Sequence, residues 1–357
     1  MLREGAFLAI CLCICGCGQE SDTKVIDADF DQAMGKDSRV WHEMLAHEGN
    51  RERLELLRSV YESEKPSKEP LAEVPKIPKC IHQIWVGPKP LPPYFWRYKK
   101  TWKEKHPDWK YQLWTDKEVA NFDFEQKDLY LASTNWGEKS DILRAELMDR
   151  FGGLYVDIDC ENLKAFDELH MKYDFYAGLE PPHQGDMTQR APHLVISDAL
   201  IGVRPGHPII KEWKELIRAR WHHFGALYPD GPKRTLLRTF FPFGEAVMMH
   251  LTDPGYVNIV FPPTYFFPLT FSRVSKGRLK KLGFLKRTAI SLSAFFDDRK
   301  IAPFIEIQPE TMAVHYWGNS WVKSGEERLR EMHCVMVQLQ KQVDELKEEI
   351  MEMKNSR

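Results

Sequence analysis

Between residues 137 and 151, apolar side chains fall at Ile142, Leu143, Leu147 and Phe151, a spacing that predicts a helix with one buried face. Ser140 or Lys139 stands near its start, and Gly152 is placed as its left-handed stop. The short apolar run Leu154-Tyr155-Val156 follows and predicts a buried strand that ends in Asp157-Ile158-Asp159. Successive strand side chains alternate faces, so the two carboxylates are expected to point the same way with Ile158 packed behind them. Asp141 and Arg144 are three apart and share one helix face. Because this helix runs straight into the acidic strand, the pair is expected to line a polar cleft, an exposed ion pair being the alternative.

Upstream, Cys80 to Val86 is a largely apolar, β-rich run bounded by prolines, which suits a buried strand. Tyr111-Gln112-Leu113-Trp114 alternates like a second strand and stops at Thr115-Asp116, a helix N-cap pattern. Met312 to Trp317 also reads as a strand, with His315 and Trp317 alternating along it. Strands interleaved with helical segments predict an α/β sheet with crossover connections. Ligands of such sheets collect at the carboxyl ends of strands, where Val86, Thr115 and Asp157 are expected to lie.

The two ends of the chain have a different character. Met1 to Cys17 carries an apolar core of about a dozen residues, short against the roughly twenty a bilayer span needs and suited to a secretory h-region. Ile14-Cys15-Gly16-Cys17 resembles a bacterial lipoprotein box, which makes Cys17 the expected lipidation site and export with a lipid anchor the expected localisation. A signal anchor in a secretory-pathway membrane is the alternative. Residues 18–76 read as a charged helical stalk, or an accessory hairpin, followed by a proline-bearing linker. Residues 324–357 hold Leu329, Met332, Met336, Leu339, Val343, Leu346, Ile350 and Met353 at alternating spacings of three and four, with Glu and Lys flanking, which predicts a coiled-coil-like helix and a homo-oligomer. From Arg273 to Lys300 basic residues interleave with apolar ones, a pattern that suits either an anionic membrane surface or a solvated insertion. What remains, 77–323, is one large domain.

Composition narrows the picture only where charge and cysteine enter. With 43% hydrophobic and 12% aromatic residues in 357 there is ample core. A formal net charge of −2 gives no global field for nucleic acid, which is not expected as a partner. Four of seven cysteines (Cys11, Cys13, Cys15, Cys17) lie in the leader, and Cys80, Cys160 and Cys334 are scattered without metal or disulfide spacing. Cys80 and Cys160 are expected as small core residues.

The chemistry centres on the acidic strand end. Two carboxylates on one face suit a hard divalent cation whose remaining coordination positions take phosphate oxygens, as a nucleotide-sugar transferase requires when charge builds on a departing diphosphate. The run Ser140-Asp141-Ile142-Leu143-Arg144 through Asp159 resembles the DXD sugar-transferase region of glycosyltransferase family 32. The resemblance takes in Ile77 to Trp85, His106 to Asp116, Ala199 to Pro208 and His315 to Trp321, in that order, and so spans roughly 77 to 322. It implies a GT-A fold, a nucleotide-binding sheet flanked by helices, and retaining chemistry on a nucleoside-diphosphate-sugar with a glycan, lipid or protein acceptor. It further implies Asp141, Arg144, Asp157 and Asp159 as catalytic residues. His82, Gln83, Ile84, Trp85, Tyr155, Ser320 and Trp321 join Asp141, Arg144 and Asp157 in holding the donor. Asp157, Asp159 and His315 hold Mn2+ or Mg2+. Two positions depart from the family pattern: Phe241-Pro242-Phe243-Gly244-Glu245 replaces a usual Thr-Gly-Pro, and Asp198 replaces a common Asn. The competing function class is a non-catalytic, membrane-anchored scaffold that works through its coiled coil.

Overall fold

A computed structural model describes residues 24–36, 39–68, 71–182, 194–228, 231–269 and 307–318. The leader with Cys17, the 273–300 segment, Ser320, Trp321 and the 324–357 heptads lie outside the described residues. The strands are β1 (Cys80–Ile84), β2 (Lys110–Trp114), β3 (Gly153–Val156), β4 (Cys160–Asn162), β5 (Phe175–Leu179), β6 (Ile196–Val203), β7 (Asn258–Phe261) and β8 (Ala313–His315). Six of them form one mixed sheet in the order β2-β1-β3-β6-β5-β7, and β4 pairs with β8 in a second, two-stranded one. The fold class is therefore α/β with flanking helices, in agreement with the sequence.

Only β6 runs against its neighbours: β1 is parallel to β2 and β3, β5 is parallel to β7, and β6 is antiparallel to both β3 and β5. This reversal has a functional result. The carboxyl ends of β1, β3 and β5 and the amino end of β6 all arrive at one edge of the sheet, bringing Ile84, Asp157, Glu180 and Asp198 around one space. The central strands are covered on both faces, as in helix-flanked sheets; every residue of β3, β5 and β6 is buried.

The Trp136–Arg150 helix leads into β3. Its N-cap is Asn135, whose side chain accepts from the backbone of Gly137 and Glu138, one turn earlier than Ser140 or Lys139. It is buried on nearly every side, polar Glu138, Asp141, Arg144 and Glu146 included, and not on a single face. Its charged side chains are kept inside by partners from distant chain: Arg234 meets Glu138 at 2.7 Å and Lys214 meets Glu146 at 3.3 Å. Gly152 ends the helix at φ 60°, as expected. A Cβ there would fall 2.6 Å from the Val203 carbonyl oxygen. Upstream, Thr115 caps the Asp116–Ala120 helix through a reciprocal capping box with Glu118.

The Glu48–Glu64 helix, expected as part of a stalk, packs on β7 at the sheet edge. Leu54, Leu57 and Tyr61 enter the main core, and the Tyr61 hydroxyl bonds the Ala28 carbonyl and the Tyr265 hydroxyl at 2.9 Å each. Three apolar side chains one turn apart are better covered by a sheet than by water.

Candidate active site

At the shared sheet edge lies a cavity of about 390 Å³. Its floor is polar and its walls are aromatic, with Trp85, Tyr94, Trp136, Phe240, Phe241 and Trp317 among the lining residues. Asp157 and Asp159 face it, but by a different route from the expected strand alternation. β3 stops at Val156, and Asp157-Ile158-Asp159 forms a tight turn closed by the Cys160 N–H donating to the Asp157 carbonyl at 3.1 Å. The turn, not the pleat, brings the carboxylates together.

Opposite them stands His315, the last residue of β8. Cross-strand pairing of β4 with β8 sets Cys160 against His315, so the imidazole reaches the turn next door. Its Nε2 lies 3.2 Å from Asp159 Oδ1 and 3.8 Å from Asp157 Oδ2. Burial opposes protonation of this imidazole, yet the adjoining Asp159 carboxylate prevails and raises its pKa above the usual range. Burial likewise pushes Asp159 up, but His315 and the Gly318 N–H, which donates to its Oδ2, hold it below the ordinary carboxylate value.

Arg144 organises the other half of the floor. One guanidinium nitrogen lies 2.6 Å from Asp198 Oδ2 and donates to the Asp198 carbonyl at 2.7 Å. The second is 3.3 Å from both Asp141 Oδ1 and Asp157 Oδ1. The guanidinium also lies 4.1 Å over the Tyr155 ring, whose hydroxyl donates to Asp157 Oδ1 at 2.6 Å. Thr239 donates to Asp141 Oδ2 at 2.5 Å. The helix pair Asp141 and Arg144 is thus a buried part of the cavity and not an exposed ion pair.

The remaining sequence-based assignments divide. Ile84 and Trp85 line the cavity. His82 and Gln83 do not: both are buried within β1, beneath the floor. The His82 ring packs in a cluster with Trp114 and Phe151 and accepts from the Trp114 indole at 3.0 Å, and burial drives its pKa down to about 4. Gln83 donates to the Asp157 carbonyl at 3.2 Å, so it supports the turn from below. Tyr155 lines the cavity and acts through Asp157 and Arg144. Two acids were missed as site residues. Glu180 follows β5, and burial raises its pKa to about 7. Asp198, noted only as a departure from pattern, is raised to about 6 by burial, with Asp157 adding to it against the pull of Arg144. Nothing in the spacing of 180 and 198 connects them to 157; the antiparallel arrival of β6 does.

Five carboxyl groups (Asp141, Asp157, Asp159, Glu180, Asp198) therefore share one cavity with Arg144, His315 and Lys89. The convergence of Asp157, Asp159 and His315 fits a hard divalent cation, for which carboxylate oxygen and imidazole nitrogen are suitable donors.

A family model described as a glycosyltransferase sugar-binding region containing a DXD motif matches residues 92–176. Inositol phosphoceramide mannosyltransferase 3 of Schizosaccharomyces pombe is 25% identical over 223 residues, covering 51% of this chain and 58% of its own. Mannosyl phosphorylinositol ceramide synthase SUR1 of Saccharomyces cerevisiae is 28% identical over 145 residues, covering 39% and 35%. The chain spans about half the length of the first curated relatives it matches. Among solved structures, the PaToxG glycosyltransferase superposes with a TM-score of 0.41 at 18% identity, covering 72% of this chain and 95% of that one.

Proposed function

We propose that this chain, which is glycosyltransferase family 32-like, moves a sugar from a nucleoside-diphosphate-sugar to an acceptor hydroxyl with retention at the anomeric carbon. The observation that carries this reading is the meeting of Asp157, Asp159 and His315 at the polar floor of an aromatic-walled cavity at the sheet's carboxyl edge. Those three residues would hold Mn2+ or Mg2+, which when bound neutralises charge on the departing diphosphate. Gln83 and Tyr155 fix Asp157 from below and from the side. The Gly318 N–H fixes Asp159. Arg144, with Asp141 and Asp198 against it, presents hydrogen-bonding groups to the sugar hydroxyls. Ile84 and Trp85 at the end of β1 border the nucleoside.

In the reaction the anomeric C–O bond to the diphosphate breaks while the acceptor oxygen bonds the same face of the sugar. The acceptor proton passes to the released phosphate oxygen. The aromatic walls keep bulk water from competing as acceptor. The mannosyltransferases of inositol phosphoceramide among the relatives make mannose the first sugar and a phosphoinositol-bearing sphingolipid the first acceptor to test. Anchorage at a membrane, by a lipid on Cys17 or by a signal anchor, accords with a lipid acceptor. No helix among the described residues is long and apolar enough to cross a membrane.

Purified protein is incubated with a panel of nucleotide sugars and Mn2+, and released nucleoside diphosphate is measured. Metal-dependent release with at least one donor is expected. No release from any donor, with or without acceptor lipid, overturns the reading in favour of the scaffold.

A further inference from the structure

Cys160 is absent from the chemistry above, yet it sits directly behind the floor. It opens β4 and is paired in register with His315 on β8. Residues directly opposite on antiparallel strands present their side chains on one face with Cβ atoms about 5 Å apart. The thiol, the imidazole and the neighbouring Asp159 carboxylate thus converge: one ligand atom from each lies within 4.8 Å of the other two. All three residues are nine-tenths or more buried, Cys160 at 1% exposure and His315 at 7%. The His315 Nδ1 has no hydrogen-bond partner among the described residues. An isolated buried thiol is ordinarily a small core residue. This one faces a carboxylate and an imidazole that the proposed function assigns to a cation.

We propose that Asp159, Cys160 and His315 form a nitrogen-oxygen-sulfur site for a thiophilic divalent cation of the zinc type, which excludes the hard cation because it takes two of the same ligands. Ligand chemistry separates the two modes. Asp157, Asp159 and His315 offer oxygen and nitrogen and suit Mn2+ or Mg2+. Replacing the Asp157 oxygen by sulfur selects for zinc-like ions. In tetrahedral zinc sites with bonds of about 2.0 to 2.3 Å, ligand atoms stand roughly 3.5 Å apart. Atoms within 4.8 Å need close by only about an ångström, within reach of side-chain rotation. On binding, the thiol gives its proton to solvent and the thiolate becomes the third protein ligand, leaving one position for water or Asp157.

Cobalt(II) reports thiolate ligation directly through its sulfur-to-metal charge-transfer absorption, without donor sugar or turnover. The full chain carrying Cys11→Ser, Cys13→Ser, Cys15→Ser, Cys17→Ser and Cys334→Ser leaves Cys80 and Cys160 as the two thiols. Titrated with Co2+, it is expected to develop the thiolate band at one equivalent, and Zn2+ is expected to bleach it. Adding Cys160→Ser or His315→Gln should abolish the band. Adding Cys80→Ser should leave it, and Zn2+ affinity should fall at least tenfold in Cys160→Ser alone. Near-ultraviolet circular dichroism confirms that each variant is folded, and Cys160→Ala replaces Cys160→Ser should the serine disturb packing. Absence of the band in the two-thiol protein, or its persistence in folded Cys160 variants, overturns the proposal. An inactive enzyme that still shows the band contradicts the transferase reading and leaves this one standing.

Discussion

Asp159 is the residue on which most of the site turns, since it answers both the His315 imidazole and the Gly318 N–H. Asp159→Asn keeps the shape but removes the anionic oxygen that a hard cation requires. Metal-dependent diphosphate release should fall by about two orders of magnitude or more, with an unchanged circular dichroism spectrum; wild-type turnover by the folded variant removes Asp159 from the metal site. Glu180 offers a test by pH. Its pKa is raised to about 7 from 4.5, chiefly by burial. The native state therefore keeps a proton that the unfolded chain has already released, so the stabilisation present below about pH 4.5 is lost as pH rises towards 7. The span corresponds to about 3 kcal/mol. Glu180→Gln should flatten this decline, read as the urea midpoint at about pH 5 and about pH 8; equal slopes in the two proteins exclude it. The Asp-x-Asp pair was legible in the sequence because glycines and an apolar run frame it. Glu180 and Asp198 were not, because their approach depends on strand pairing across more than twenty residues. His82 was assigned to the donor from its motif, but lies two residues before Ile84, buried within β1 and outside the cavity lining.

Among the elements, the helix-to-strand passage at Gly152-Gly153 does the most positioning. Both glycines have positive φ, at 60° and 95°, and each backs onto a backbone carbonyl at 2.6 Å from a would-be Cβ. Gly152→Ala must tolerate the left-handed conformation, at about 1 to 2 kcal/mol, and push β6 away at Val203. A loss of about 2 kcal/mol or more is expected, seen as a lowered thermal midpoint; an unchanged midpoint shows that the turn relaxes without strain. The C-terminal stop of this helix was readable because glycine after an apolar period has a specific meaning. Its beginning was not, since Ser140 and Lys139 looked like a polar start. The burial of Glu138 depends on Arg234, nearly a hundred residues on.

For the molecule as a whole, the α/β class and the position of the cavity followed from alternating strand and helix patterns. The packing of the Glu48–Glu64 helix did not, because its charge suggested solvent while Leu54, Leu57 and Tyr61 were already enough to seat it on β7. The C-terminal heptads make a separate prediction. Cutting after Lys323 should convert an oligomer into a monomer that keeps its turnover, since the proposed donor residues through Trp321 precede the cut. Light scattering with a diphosphate-release assay decides it: a monomeric full-length chain removes the coiled-coil assignment.

The sheet order carries one more consequence, for synthesis. Among the described strands, β6 alone pairs with both the β2-β1-β3 half and the β5-β7 half of the sheet, and it is made after all but β7 of them. Until residues 196–203 leave the ribosome, β3 and β5 each present an open, wholly apolar edge of the kind that seeks other chains. Premature termination anywhere between about 180 and 195 should therefore yield fragments that aggregate or engage chaperones, whereas a chain terminated and released just beyond 203 carries the strand that joins its halves.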